Sequence, residues 1–292
     1  MSLVKVTLLF SLLVVLFVTF GAIIGYMLGN FIVWISLFLV IAVVINVFSY
    51  YKSDSIAIKS TKTKLIEEKD NPRFYNIVKK VTTEAGIPMP RVGIMPSDTP
   101  NAFATGRDKN HSVVVATSGI LSMLDDDELE AVIGHEVSHI THEDILVTTI
   151  AATIAMIISY IGNMVIFSEM FGGIENRNAS SSYLLIVAAI LIPLGAMFVQ
   201  LGISRSRESD ADIGSVKLVK KPDELISSLE KISKPIKKPA VSRAPVAHPS
   251  AYSSLFIVNN FSGHALLNLF STHPSLEKRI ETIQRVKKEM GL

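Results

Sequence analysis

The sequence predicts an α+β protein, mainly helical, in which transmembrane helices carry a cytosolic part with a small β-sheet and a helix bearing a histidine-rich motif. Three observations predict this. Leu3 to Leu28 and Phe31 to Phe48 are apolar runs separated only by Gly29-Asn30, each of the ~20-residue order a bilayer span requires. From about Leu65 to Asp144 the composition becomes that of a soluble domain with short β-rich stretches, and from Asp125 onward apolar residues recur at helical spacing.

Composition bounds the function classes. The 292 residues are 49% hydrophobic and only 18% charged, too apolar for an ordinary soluble two-domain protein. A net charge of +2 gives no nucleic-acid footprint. With no cysteine, disulfide scaffolds, thiolate metal sites and cysteine nucleophiles are excluded, and any metal is held by His, Asp or Glu.

The elements follow in order. The first apolar run continues beyond the ~7–15 residues of a signal h-region and a second span follows at once, so residues 1–51 form a transmembrane hairpin rather than a cleaved leader. Tyr50-Tyr51 mark an interface, and Lys52, Lys59, Lys62 and Lys64 follow, whereas the Gly29-Asn30 turn is uncharged. The positive-inside rule then puts both termini in the cytoplasm. Asn71-Pro72 opens a helix over Pro72 to Ala85, closed at Gly86. Arg91–Met95, Asn101–Gly106 and Ser112–Thr117 read as strands, the last two joined by a turn. Asp125 or Asp126 caps the next helix, with Glu128 and Glu130 in its first turns and Leu129, Val132, Ile133, Val137 and Ile140 on its apolar face. Ile145 to Phe167 and Tyr183 to Ile203 are two further apolar runs. Both could be buried helices of a soluble core, but their length and lack of charge favour a second transmembrane pair in 145–203, with Gln200 and Pro193 weakening the fourth; if both cross, the chain returns to the side of residues 52–144. The last part, 204–292, holds a helix from Ser204 through Leu218, a second over Asp223–Ile232, a breaker-rich mobile loop over Ser233–Ser250 and a charged helix from Leu276.

The chemistry concentrates at Gly134-His135-Glu136-Val137-Ser138-His139. On a helix the i, i+4 spacing sets His135 and His139 on one face, where both can ligate one zinc ion while Glu136 polarises a water. The motif alone also fits an amphipathic helix whose histidines are merely solvated or satisfied in a core. A catalytic zinc needs a third protein ligand. His142 shares the face, but a straight helix cannot wrap three turns around one ion. Glu208 is the better candidate, since its helix returns antiparallel from the fourth apolar run. Asp212, four residues on, is placed to accept a hydrogen bond from the distal nitrogen of a ligating histidine. Against this, Arg205 to Asp212 also reads as a solvated charged face. Strand Asn101-Ala102-Phe103 precedes the motif helix in the order used where peptidases take up substrate as an added strand, although by itself Asn101 also reads as a turn residue.

The combination of Asn101-Ala-Phe-Ala-Thr-Gly106, Gly134-His-Glu-Val-Ser-His139, Arg207-Glu-Ser-Asp-Ala-Asp212 and His273-Pro274 with Arg279, behind an N-terminal hairpin, resembles the HtpX family of heat-shock membrane proteases. It is more distantly similar to the type I CAAX prenyl proteases. The resemblance implies a zincin-like cytosolic domain and an integral-membrane zinc endopeptidase with one Zn2+ per chain. It implies His135, His139 and Glu208 as metal ligands, Glu136 as catalytic base and Asp212 as support for a ligand. Asn101, Ala102 and Phe103 would line the substrate groove, and His273 would approach the site from the C-terminal segment. Either His273 or Asn101 could hydrogen-bond the oxyanion, although a His before Pro at a helix start is more often structural. The expected substrates are misfolded or damaged membrane proteins or unfolded polypeptides, and the expected location is the cell membrane, multi-pass, with the catalytic part cytoplasmic. Two alternatives are a prenyl-protein protease, for which four spans are too few to enclose a chamber, and a non-catalytic zinc-binding scaffold, which would not need Glu136.

Overall fold

In the computed structural model, residues 2–155, 157–158, 205–234 and 274–292 are described. The remainder of the third apolar run, the whole fourth run, most of the Ser233–Ser250 loop and His273 lie outside the described residues.

Helices α1 (Ser2–Leu28) and α2 (Phe31–Ser60) form the predicted hairpin. Gly29 and Asn30 turn it with φ values of 80° and 58°, a left-handed conformation open to Gly and tolerated by Asn. Both helices are long and apolar enough to cross a membrane. Helix α2 does not stop where its apolar run does. Its polar continuation buries Ser49, Ser53 and Ala57, and Ile58 packs with Phe103, Val113 and Val115. Arg91 Nη2 donates to Asp54 Oδ2 at 2.6 Å, tying this continuation to the sheet.

The sheet contains β1 (Lys64–Ile66), β2 (Arg91–Met95), β3 (Ala102–Gly106) and β4 (Ser112–Thr117) in the order β1-β2-β4-β3. Strands β2 and β4 are parallel, with Arg91 opposite Val113, and β3 returns antiparallel beside β4, with Ala102 opposite Ala116. Period-two alternation divides the side chains. Val92, Ala102, Val114 and Ala116 face the helical core, whereas Phe103, Val113 and Val115 face α2. All of β4 is therefore buried.

The helical core is built by α3 (Pro72–Glu84), the short α4 (Ser118–Met123), α5 (Asp126–Thr141), α7 (Arg205–Val219), α8 (Pro222–Ser233) and α9 (Leu276–Met290). Asn71 caps α3 by accepting from Phe74 N. Asp125 and Glu128 form a reciprocal capping box on α5, at 2.9 and 3.2 Å. An apolar helix α6 (Ile145–Ala155) begins directly after α5, and Val147, Ile150 and Ile154 pack with Val6, Leu9 and Leu13 of α1 and Ala42 of α2.

Helices α5 and α7 cross at very close range because glycines face the contact. A Cβ on Gly134 would stand 2.7 Å from Val219 Cγ2, and one on Gly214 would stand 2.9 Å from Ser138 Cβ. Ser215 Oγ donates to the Ala131 carbonyl at 2.6 Å across the same junction. Alanine ordinarily favours a helix by ~1 kcal/mol over glycine. At Gly214 overpacking wins, because the clash involves the Ser138 Cβ and not only its rotatable hydroxyl. Gly214→Ala is expected to destabilise the protein by about 1–3 kcal/mol, read as a lower unfolding midpoint by circular dichroism.

Candidate metal and catalytic site

The site forms where α5, α7, α9 and the edge strand β3 meet. Helix α5 presents His135 and His139 on one face, their rings edge to face at 4.8 Å between centroids. The two Nε2 atoms are 3.2 Å apart. Glu208, from α7, brings Oε2 to 3.6 Å from His135 Nε2 and Oε1 to 3.6 Å from His139 Nε2. Ligand atoms of these three residues all lie within 4.8 Å of one another.

This donor set fits a tetrahedral cation. Bonds of about 2.0–2.1 Å separate tetrahedral ligand atoms by roughly 3.3–3.4 Å, close to the 3.2 and 3.6 Å separations here. Two imidazole nitrogens and one carboxylate are also a ligand class used by catalytic zinc, with a further position left for water. His142 does not join the group. It is the exposed C-cap residue of α5.

The distal side of His135 is fully organised. His135 Nδ1 donates to Asp212 Oδ1 at 2.9 Å. Asp212, fully buried, receives Arg279 Nε on Oδ2 at 2.8 Å and Arg279 Nη2 on Oδ1 at 2.6 Å. Burial alone would raise the Asp212 pKa, but the Arg279 guanidinium holds the carboxyl below its usual range. Burial would likewise lower the His135 pKa, yet Asp212 and Glu208 raise it from 6.5 to about 9. In metal-stripped protein this pair stabilises the fold fully below about pH 6.5, and the contribution is lost as pH rises through about 9. Chelator-treated protein is therefore expected to melt lower at pH 9.5 than at pH 6.

Glu136, next to His135 on α5, lies close enough to the donor set to feel His135, His139 and Glu208 and reaches β3. Strand β3 lies at the edge of the sheet, and Ala104 N donates to Glu136 Oε2 at 2.8 Å. Burial pushes the Glu136 pKa above the ordinary carboxylate value, which moves a carboxyl toward the range useful for proton transfer at neutral pH. Asn101, Ala102 and Phe103 are all buried. Beyond Ala104, the next outward N–H of β3 is also taken, Gly106 N donating to Thr149 Oγ1 at 3.2 Å.

Two contributors escaped sequence reasoning as site residues. Arg279 carries part of the family resemblance but sits on a charged helix that gave it no role, which its pairing with Asp212 supplies. Asp144 read as the end of a domain, yet its Oδ2 is 3.9 Å from His139 Nδ1. Glu128 and Glu130, expected to serve the helix dipole, are nearly buried and also cross-link elements. Glu130 pairs with Lys80 and Lys221 at 2.7 Å, and Glu128 accepts from Ser227 at 2.6 Å.

The family profile described as Peptidase family M48 matches residues 68–287. A "Protease HtpX homolog" of Pyrococcus furiosus is 42% identical over 291 residues, covering 99% of this chain and 97% of its own. A "Protease HtpX homolog" of Campylobacter hominis is 39% identical over 292 residues, covering 99% and 100%. The crystal structure of S. mikatae Ste24p aligns at 17% identity with a TM-score of 0.47, covering 96% of this chain and 64% of that one, a likeness too slight to carry an argument. With the M48 profile and the relatives both spanning most of its length, the chain belongs to Peptidase family M48 and is a protease of the HtpX type.

Proposed function

We propose that this protease is a zinc-dependent endopeptidase of the membrane that hydrolyses peptide bonds in misfolded or damaged membrane proteins. The observation that carries the reading is the placement of the Glu136 carboxylate between the His135–His139–Glu208 donor set and the backbone edge of β3. His135, His139 and Glu208 would hold the ion. When bound, zinc supplies Lewis acidity that polarises a carbonyl and acidifies a water.

The chain's own residues do the rest. Glu136 takes the proton of the attacking water and returns it to the departing amine nitrogen, so that proton and bond cleavage balance within one turnover. Asp212 fixes the His135 tautomer with Nδ1 protonated and Nε2 free to ligate. The edge strand β3 receives the substrate backbone as an added strand, which displaces Glu136 from Ala104 N. Asn101 and His273 are the candidates to hydrogen-bond the oxyanion; an alanine variant of either that turns over normally removes it from that role. Exposed apolar residues such as Ile32, Val40 and Val44 on α2 face lipid in this reading, with both termini and the site on the cytoplasmic side.

Zinc stoichiometry and cleavage of an unfolded membrane-protein substrate in detergent test the proposal together. One zinc per chain is expected, with cleavage lost on chelation and restored by zinc. Cleavage that persists in protein shown to be metal-free would sink the zinc mechanism. Glu208→Ala is expected to lower zinc affinity; an unchanged metal content after dialysis would point to another third ligand.

A further inference from the structure

Histidine ligands need their distal nitrogens oriented as much as their proximal ones aimed, and the two histidines of α5 are served by different elements. His135 Nδ1 is held by Asp212, which is clamped by Arg279. His139 Nδ1 has Asp144 Oδ2 beside it at 3.9 Å, and Asp144 Oδ1 is in turn 3.3 Å from Arg207 Nη1. Each histidine therefore faces an aspartate backed by an arginine. The Asp144 and Arg207 side chains are largely buried, 16% and 10% exposed, and burial keeps such a charge pair from being screened away.

We infer that Asp144 is a positioning residue for His139, held in place by Arg207, and that it couples the metal site to the start of helix α6. This rests on the assignment of His139 as a metal ligand.

The backbone explains why the residue sits there. After α5 the chain turns at Glu143, whose φ of 58° is left-handed, and Asp144 N donates to the His139 carbonyl at 3.0 Å. This closes the turn and brings the Asp144 carboxylate back toward the ring of His139. The Asp144 carbonyl accepts Thr148 N at 3.3 Å and Thr148 Oγ1 at 2.8 Å, so the same residue begins α6. Arg207 immediately precedes Glu208 on α7. One carboxylate thus joins the helix of two ligands, the helix of the third ligand and the helix whose Val147 and Ile150 pack against α1 and α2. At 3.9 Å the His139 contact is longer than a formed hydrogen bond, and the Asp144 charge beside Nδ1 favours the tautomer that leaves Nε2 free to ligate.

The test uses the full chain in detergent and the metal alone. Zinc affinity is measured by competition with a chromophoric chelator, and the cobalt-substituted protein gives a ligand-field spectrum. Asp144→Asn is nearly isosteric and keeps the amide N–H and carbonyl of the turn; asparagine is also as good a helix N-cap as aspartate. It is expected to weaken zinc binding about 10–100-fold and to shift the cobalt spectrum, with the circular dichroism of the chelated protein unchanged. Asp144→Glu should recover part of the loss. Arg207→Gln should weaken binding in the wild type and add little once Asp144→Asn is present.

Three results overturn the inference: zinc affinity of Asp144→Asn within twofold of wild type, a loss that tracks unfolding of the chelated protein, or fully additive effects of the Asp144 and Arg207 substitutions. Failure of the underlying reading is distinguishable, because wild type would then bind no zinc that His139→Ala abolishes.

Discussion

Glu136→Gln is expected to abolish peptide hydrolysis while leaving metal content at one zinc per chain. The amide keeps the size of the carboxylate and can still meet the Ala104 N–H, which donates to Glu136 at 2.8 Å, through its carbonyl oxygen. It cannot accept a proton from water. Removing a positioned general base typically costs about 10²–10⁴-fold in rate, so cleavage of an unfolded substrate, or self-cleavage of purified protein, should fall to that degree. Because Glu136 is not among the three residues whose ligand atoms cluster, zinc affinity should change by far less. Two outcomes would count against the assignment. Undiminished proteolysis would remove Glu136 as base, and parallel loss of zinc and activity would make it a ligand. The same substitution also separates a protease from a zinc-binding scaffold, since a scaffold would be indifferent to it.

The parts of the fold that were legible in the sequence are those written in local chemistry. Strands β2 and β4 occupy the expected Arg91–Met95 and Ser112–Thr117, because their β-branched runs are bounded by breakers. Helices α3 and α5 begin where Asn71-Pro72 and Asp125 allow. Strand β3 starts one residue later than the expected Asn101, whose backbone instead bonds Thr117. Strand β1, only Lys64–Ile66, was not visible: it has no alternation of its own and exists through pairing with β2. The extension of α2 from Phe48 to Ser60 was hidden for a related reason. The apolar run reports where lipid ends, whereas the helix continues because small side chains and Ile58 find the sheet.

The site divides in the same way. His135, His139, Glu208 and Asp212 are pairs spaced four residues apart, and the helical period alone sets each pair on one face. That the two pairs face each other is a tertiary fact, made possible by Gly134 and Gly214 at the crossing of α5 and α7. Asp144 could not be read at all, and Arg279 was marked only by its place beside His273-Pro274 in the family resemblance, without a role. Nothing in a charged C-terminal helix distinguishes the one arginine that turns inward, 2% exposed, from its solvated neighbours.

That inward arginine gives the second large effect. Arg279→Leu is expected to destabilise the protein by about 3–5 kcal/mol, because it strands the carboxylate of Asp212 in a site with no access to water. The lost contacts are the charge-assisted bonds at 2.6 and 2.8 Å. Lys287 still joins α9 to Asp223 at 2.6 Å, but an exposed pair of that kind contributes at most ~1 kcal/mol and does not compensate. The informative comparison is with the double variant Asp212→Leu, Arg279→Leu. Replacing a whole buried ion pair by apolar side chains is often neutral or stabilising, so the unfolding midpoint should recover most of the way. Function should not recover with it. His135 would lose the carboxylate that accepts from its Nδ1, and zinc affinity should stay about 10–100-fold below wild type. Recovery of stability without recovery of zinc affinity would show that the C-terminal helix closes the site through Asp212 rather than merely covering it. Recovery of both would reduce Arg279 and Asp212 to packing, and recovery of neither would mean the leucines cannot fill the space the pair leaves.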